Sequence, residues 1–351
     1  MSRFAHLVGS VNLPDAETTF ETVSEHLGGR LHRIPDGEVG DRYYWIQFQK
    51  DFFDVTPGLT RVGDTPFYIR ERFDGRPIVL DGSVPADELQ LPGLGYADAA
   101  IESYATFAAL KARGGIPSEA RFQVSLPTPA GVVGSFFHAE HRAAVEPVYE
   151  RALMSELGRI LDAVPHDQLA IQWDTALEFG MLEKAQIRGY EITSWFGDTH
   201  EEILDGVLER AARQAAAVPA DVEVGYHLCY GDVEESHFVQ PADSGMLAEV
   251  LSGLFSRSPR HVTWVHLPVP IERDDEAYFA PLESVEWPAS TEVYLGLLHH
   301  EDGVDGALRR AASASKYVAG YGVATECGFG RGPSERTVTL LKLHEQVAAA
   351  L

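Results

Sequence analysis

Short runs rich in β-branched and aromatic residues alternate along the chain with longer segments whose apolar positions recur every three or four residues. The short runs, at residues 4–10, 30–34, 121–126, 169–174, 223–229, 261–267, 292–299 and 321–327, predict eight strands. Helical periodicity marks residues 98–113, 140–163, 200–217, 245–256, 303–316 and 334–350. Strand then helix throughout is the α/β pattern, and eight such strands predict a single TIM (β/α)8 barrel over residues 1–351, in one domain. A doubly wound open sheet is the alternative, but the glycine-rich fingerprint expected after its first strand is replaced by Gly9-Ser10-Val11-Asn12. Two irregular inserts interrupt the alternation. One, near 54–94, is rich in Pro, Gly and Asp and is expected to pair residues 67–73 with 77–80 as a hairpin; the other, near 178–198, carries the pair Trp195-Phe196.

Charge narrows the functional classes. With 28 Lys+Arg against 53 Asp+Glu the net charge is −25, so no nucleic acid partner is expected. No apolar run reaches the ~18 residues that span a bilayer, so no membrane partner is expected either. The N-terminal Met1-Ser2-Arg3-Phe4-Ala5-His6 lacks the build of a signal peptide, and a cytoplasmic location is the expectation. Only two cysteines occur, Cys229 and Cys327, which excludes a disulfide scaffold.

In a barrel, chemistry gathers where strands end. Here the ends carry Ser10, then Asp36-Gly37-Glu38, Asp174, His227-Leu228-Cys229, His266, His299-His300-Glu301 and Glu326-Cys327-Gly328. Polar strand ends are ordinary, but His and Cys at four adjacent ends are not. Residues i and i+2 of a strand share a face, with Cα atoms roughly 6.5 Å apart, so His227 and Cys229 can converge on one ion. The only other cysteine ends the last strand. Two thiolates and an imidazole favour Zn2+, and three protein ligands with an open fourth place describe a catalytic site.

These motifs, taken in order, resemble the catalytic C-terminal barrel of cobalamin-independent methionine synthase and the wider group of zinc-dependent thiol alkyltransferases. Leu7-Val8-Gly9-Ser10 resembles the family's opening strand, and Asp36-Gly37-Glu38 the element whose carboxylate meets the thiol substrate. Ile171-Gln172-Trp173-Asp174 is similar to the strand whose Asp holds the substrate amine. His227-Leu228-Cys229-Tyr230 and Glu326-Cys327-Gly328 resemble the two zinc-ligand motifs. The resemblance implies a fourth ligand on strand six, where the family has Glu and this chain has His266. It also implies a catalytic histidine after strand seven, matched loosely by His299-His300. Other departures are Asp174-Thr175-Ala176 in place of Asp-Glu-Pro and the lack of a tryptophan in Pro127-Thr128-Pro129-Ala130-Gly131.

The expected function is therefore a zinc-dependent methyl or alkyl transfer in which a small-molecule thiol, deprotonated on the metal, attacks an alkyl donor. His227, Cys229 and Cys327, with His266, are the expected metal set. Ser10, Glu38 and Asp174 would anchor the substrate, and His299 or His300 would protonate the leaving group. Trp195 is expected at the pocket wall, with Phe196, Tyr43, Tyr44 and Trp45 as further candidates, and packing in the core is the alternative for all five. A zinc hydrolase or lyase that activates water is the main alternative, followed by a closed structural zinc site and a metal-free decarboxylase of the uroporphyrinogen type. The identity of thiol and donor, and any protein partner, are left open.

Overall fold

The computed structural model describes residues 3–187, 190–231 and 237–351. Among them, seven strands form one parallel sheet in chain order: β1 (Arg33–Pro35), β2 (Arg121–Pro127), β3 (Leu169–Thr175), β4 (Glu223–Leu228), β5 (Trp264–Pro268), β6 (Glu292–Leu298) and β7 (Gly322–Thr325). The main helices are α1 (Ala16–Leu27), α2 (Tyr96–Ala112), α3 (Ala139–Ala163), α4 (His200–Ala217), α5 (Gly245–Arg257), α6 (Gly303–Ala314) and α7 (Thr337–Ala350). Between β5 and β6 the crossover is only a single turn, Glu276–Phe279, running into Ala280–Ser284. Helix α1 is absent from the periodicity reading above, although Asp15 caps it by accepting from the Thr18 N–H at 2.7 Å.

The eighth strand is not formed. Residues 4–10 make isolated bridges, with Ala5 beside both Leu31 and Val323. The Ala5 N–H donates to the Arg30 carbonyl and the His6 N–H to the Val323 carbonyl. Further along, the carbonyls of Leu7 and Val8 accept from side chains instead: Gln123 Nε2 reaches both, and Ser125 Oγ and Gln172 Nε2 reach Val8. A carbonyl satisfied that way has no need of a neighbouring strand. The expected closed eight-stranded barrel is thus corrected to a seven-stranded sheet, curled but open, whose edge strands flank residues 4–10.

Side chains alternate across this sheet. Leu169, Ile171 and Trp173 of β3, with Val224, Tyr226 and Leu228 of β4, join the large apolar layer under the helices. The opposite face holds Ala170, Trp264 and Tyr294, with Gln172 and His6 hydrogen-bonded at 2.9 Å. Arg33 closes the N-terminal end of this interior. Its guanidinium lies 4.1 Å over Trp264 and pairs with Glu223 at 2.6 Å and Glu292 at 2.8 Å. Gly225 sits in register with Trp264, and a Cβ there would meet the indole at 2.1 Å, so only glycine admits the ring.

The first insert departs from the expected single pairing of 67–73 with 77–80. It contains two nested ladders, Tyr68–Ile69 with Phe73–Asp74 inside Leu59–Arg61 with Ile78–Leu80. The second begins as helix Leu177–Leu182 and continues as the short pair Gln186–Ile187 and Tyr190–Glu191. Among the described residues no helix is long and apolar enough to cross a membrane.

Candidate metal centre

Strand register builds the site. In the parallel ladders Asp174 of β3 is opposite His227 of β4, which is opposite His266 of β5, so three polar side chains share one row on the inner face. Cys229 follows two residues after His227, its N–H still donating to the Thr175 carbonyl at 2.9 Å, and therefore points the same way. Cys327 comes from beyond β7, in a turn closed by the Thr325 hydroxyl donating to its carbonyl at 2.8 Å.

The ligand atoms of His227, Cys229 and Cys327 all lie within 4.8 Å of one another. Cys327 Sγ is 3.8 Å from His227 Nε2. Two donors held at ~2.0–2.3 Å from a tetrahedral ion stand roughly 3.5 Å apart, so this set fits a metal ion with little rearrangement. Cys229 is buried and Cys327 half-buried. The Cys327 thiol is held well below its usual range, chiefly by its contact with Cys229 and by the Arg331 guanidinium close by, which outweigh burial. Arg331 Nη2 is 3.5 Å from that sulfur.

His266 stands apart from the three converging donors. Its Nδ1 is 2.7 Å from Nδ1 of His227, and its Nε2 is 3.0 Å from the Thr325 carbonyl. Burial, together with the neighbouring imidazoles of His227 and His6, keeps its pKa well below the ordinary histidine value.

A cavity of about 60 Å³ opens beside the donors and is lined by Ser10, Glu38 and Asp174 as well as by His227, Cys229 and Cys327. Both carboxylates are perturbed. Burial, with the charges of Asp36 and Cys327, raises Glu38 to about 7 against the opposing pull of Arg42 and Arg331. Burial and Glu38 raise Asp174 well above the carboxylate range, despite hydrogen bonds from Gln172 and Trp45. The turn that presents Glu38 has φ +83° at Gly37 and +51° at Glu38, a left-handed backbone that costs a non-glycine residue about 1 kcal/mol. Asp36 braces it, accepting from the Glu38 N–H at 2.9 Å and pairing with Arg42 at 2.6 Å. Ser10 Oγ accepts from the Gly330 N–H at 3.2 Å, tying the N-terminal segment to the Cys327 loop.

The other expected residues lie elsewhere. His299 and His300 line a second cavity of about 190 Å³, on another flank of the cysteine pair, which shares Cys229, Cys327 and Arg331 with the first. His299 Nε2 donates to the Val269 carbonyl at 2.8 Å, and burial lowers its pKa; His300 pairs with Glu301 at 3.1 Å. Trp195, expected at the pocket wall, lines neither cavity. Its indole donates to Glu146 at 2.7 Å, and its ring packs on Phe196. The wall is formed by Trp45, whose ring nitrogen also reaches Asp174, and by Phe238. Arg331 escaped the sequence reading, and the glycine-rich run Gly328-Phe329-Gly330-Arg331-Gly332 behind Cys327 is the signal that could have found it.

No protein-family model and no curated protein matches the chain. Its fold is matched by a B12-independent methionine synthase from Shewanella sp. W3-18-1 in complex with selenomethionine. That match has a TM-score of 0.61 and 14% identity, covering 99% of this chain and 97% of the other. A methyltransferase from Methanosarcina mazei is matched at a TM-score of 0.47 and 11% identity, over 97% of this chain and 94% of that one. At these identities the first likeness is one of fold, and what the site does must be argued from its own side chains.

Proposed function

We propose that this protein is a zinc-dependent thiol alkyltransferase acting on a small molecule. The observation that carries the reading is the convergence of one imidazole and the chain's only two thiols at the wall of a cavity that also holds one buried carboxylate, Asp174, and one half-buried, Glu38. Two sulfurs and a nitrogen suit zinc, and thiols kept for that purpose belong in a reducing cytoplasm. Zinc at this site would supply a Lewis acid that keeps a substrate thiol deprotonated at neutral pH.

The chain's own groups then have distinct tasks. Glu38 and Asp174 would receive the substrate's ammonium group, whose charge would favour the ionised form of both carboxylates. Ser10 and Arg331 would face its remaining polar end. An amino acid bearing sulfur satisfies this set, in keeping with the selenomethionine bound by the Shewanella protein. The substrate sulfur forms a bond to the donor's alkyl carbon as that carbon's bond to its leaving group breaks, the pair departing with the leaving group. His300, which pairs with Glu301, would supply the proton the leaving group needs, and His299, whose pKa burial lowers, is the poorer donor.

The test uses purified protein with one equivalent of zinc, cysteine and homocysteine as trial thiols, and methyl iodide as a generic donor. S-methylation that needs both zinc and thiol, and that is lost with zinc content in Cys229→Ser or Cys327→Ser, is expected. Zinc content unchanged in either variant removes that cysteine from the site. Hydrolysis of the donor at the same rate without thiol would instead establish water activation.

A further inference from the structure

We propose that His266 is a positioning residue for His227 and not a metal ligand, so that the protein provides three donors and the fourth place is left for substrate. This inference rests on the zinc reading above. Strand register sets the two imidazoles side by side on β4 and β5, with their Nδ1 atoms 2.7 Å apart, a distance that requires one shared proton. The other nitrogen of His266 faces the Thr325 carbonyl at 3.0 Å. A carbonyl oxygen only accepts, so that nitrogen carries a proton. His266 has no solvent exposure, and the partners of its ring nitrogens are another imidazole and a carbonyl. The ring is therefore neutral and its Nδ1 is the acceptor. The shared proton belongs to His227 Nδ1, which leaves a lone pair on His227 Nε2, the atom that stands 3.8 Å from Cys327 Sγ.

Both nitrogens of His266 are thus spent on protein partners, and turning either towards a metal would break one of these bonds. The second bond has its own consequence. Thr325 ends β7 and its hydroxyl closes the turn that carries Cys327, so one imidazole fixes the strand end of one ligand and the ring orientation of another. Partners of this kind set the tautomer of a ligating histidine, and their loss typically lowers metal affinity about 10–100-fold.

Zinc K-edge absorption of the loaded protein, with zinc affinity from competition against a chromophoric chelator, tests this for the wild type, His266→Gln and His266→Leu. Glutamine can accept from His227 and donate to Thr325, whereas leucine can do neither. The expected result is two sulfurs and a single imidazole in all three proteins, affinity within about threefold of wild type for His266→Gln, and a loss of about 10–100-fold for His266→Leu. Two imidazoles in the wild type, falling to one in His266→Gln, would overturn the proposal while leaving the zinc reading intact. A wild type that takes up no stoichiometric zinc would instead overturn the zinc reading itself.

Discussion

Glu38 fills the space beside Gly9: a Cβ built on that glycine would stand 2.7 Å from Glu38 Oε1. The carboxylate owes its place in the cavity to the missing side chain. Gly9→Ala must therefore push Glu38 away, at the low end of the about 1–3 kcal/mol that overpacking costs, because the displaced atom is the far end of a flexible side chain. The expected outcome is a lower melting temperature and a several-fold rise in KM for an aminothiol, with zinc content unchanged. Steady-state kinetics alongside calorimetry checks both.

The raised pKa of Glu38 has a sign that can be tested. In the unfolded chain the carboxyl ionises near its ordinary 4.5, and in the folded protein near about 7. The folded state thus holds the proton longer, so this group's contribution to stability is complete at acid pH and is lost as pH rises towards and through 7. Glu38→Gln removes that loss. Relative to wild type the variant should gain up to about 3 kcal/mol between pH 4 and pH 8, read from denaturant unfolding at the two values. Its affinity for an ammonium-bearing thiol should fall, because the wild-type carboxylate is the charged partner.

Arg310 is fully buried and donates to the carbonyls of Leu297 and Ile271 and, through two nitrogens, to Asp302 at 2.7 and 2.8 Å. It clamps the loop that carries His299 and His300. Arg310→Leu leaves two carbonyls and one carboxylate without this partner, so a destabilisation of about 3–5 kcal/mol is expected in urea unfolding. An unchanged midpoint would show that the clamp is dispensable.

Trp195 packs against Glu146, Phe196 and the Arg142 guanidinium, away from the cavities. Trp195→Phe should cost about 1–2 kcal/mol through the lost hydrogen bond and contacts, while Glu146 keeps its Arg210 partner. Zinc affinity and KM should match wild type, and a marked change in KM would return this residue to the substrate wall.

The H-x-C spacing was legible because strand geometry is local: residues two apart share a face whatever surrounds them. The order of strands and helices was legible for the same reason, as was the placing of Asp174 near the end of one strand and of Glu38 in the turn that follows another. What the periodicity of 4–10 could not show was that side-chain amides would take the carbonyls of Leu7 and Val8 and leave the eighth strand as bridges.

Thus the residues capable of chemistry were written into the sequence, since their types and short-range spacings require no knowledge of distant neighbours. Their division of labour was decided only in three dimensions. Ladder register places His266 against His227 instead of among the donors, a strained turn brings up Glu38, and packing sends Trp195 to Glu146 while Trp45 takes the wall. Those outcomes depend on contacts between residues tens to hundreds of positions apart, which a one-dimensional pattern does not encode.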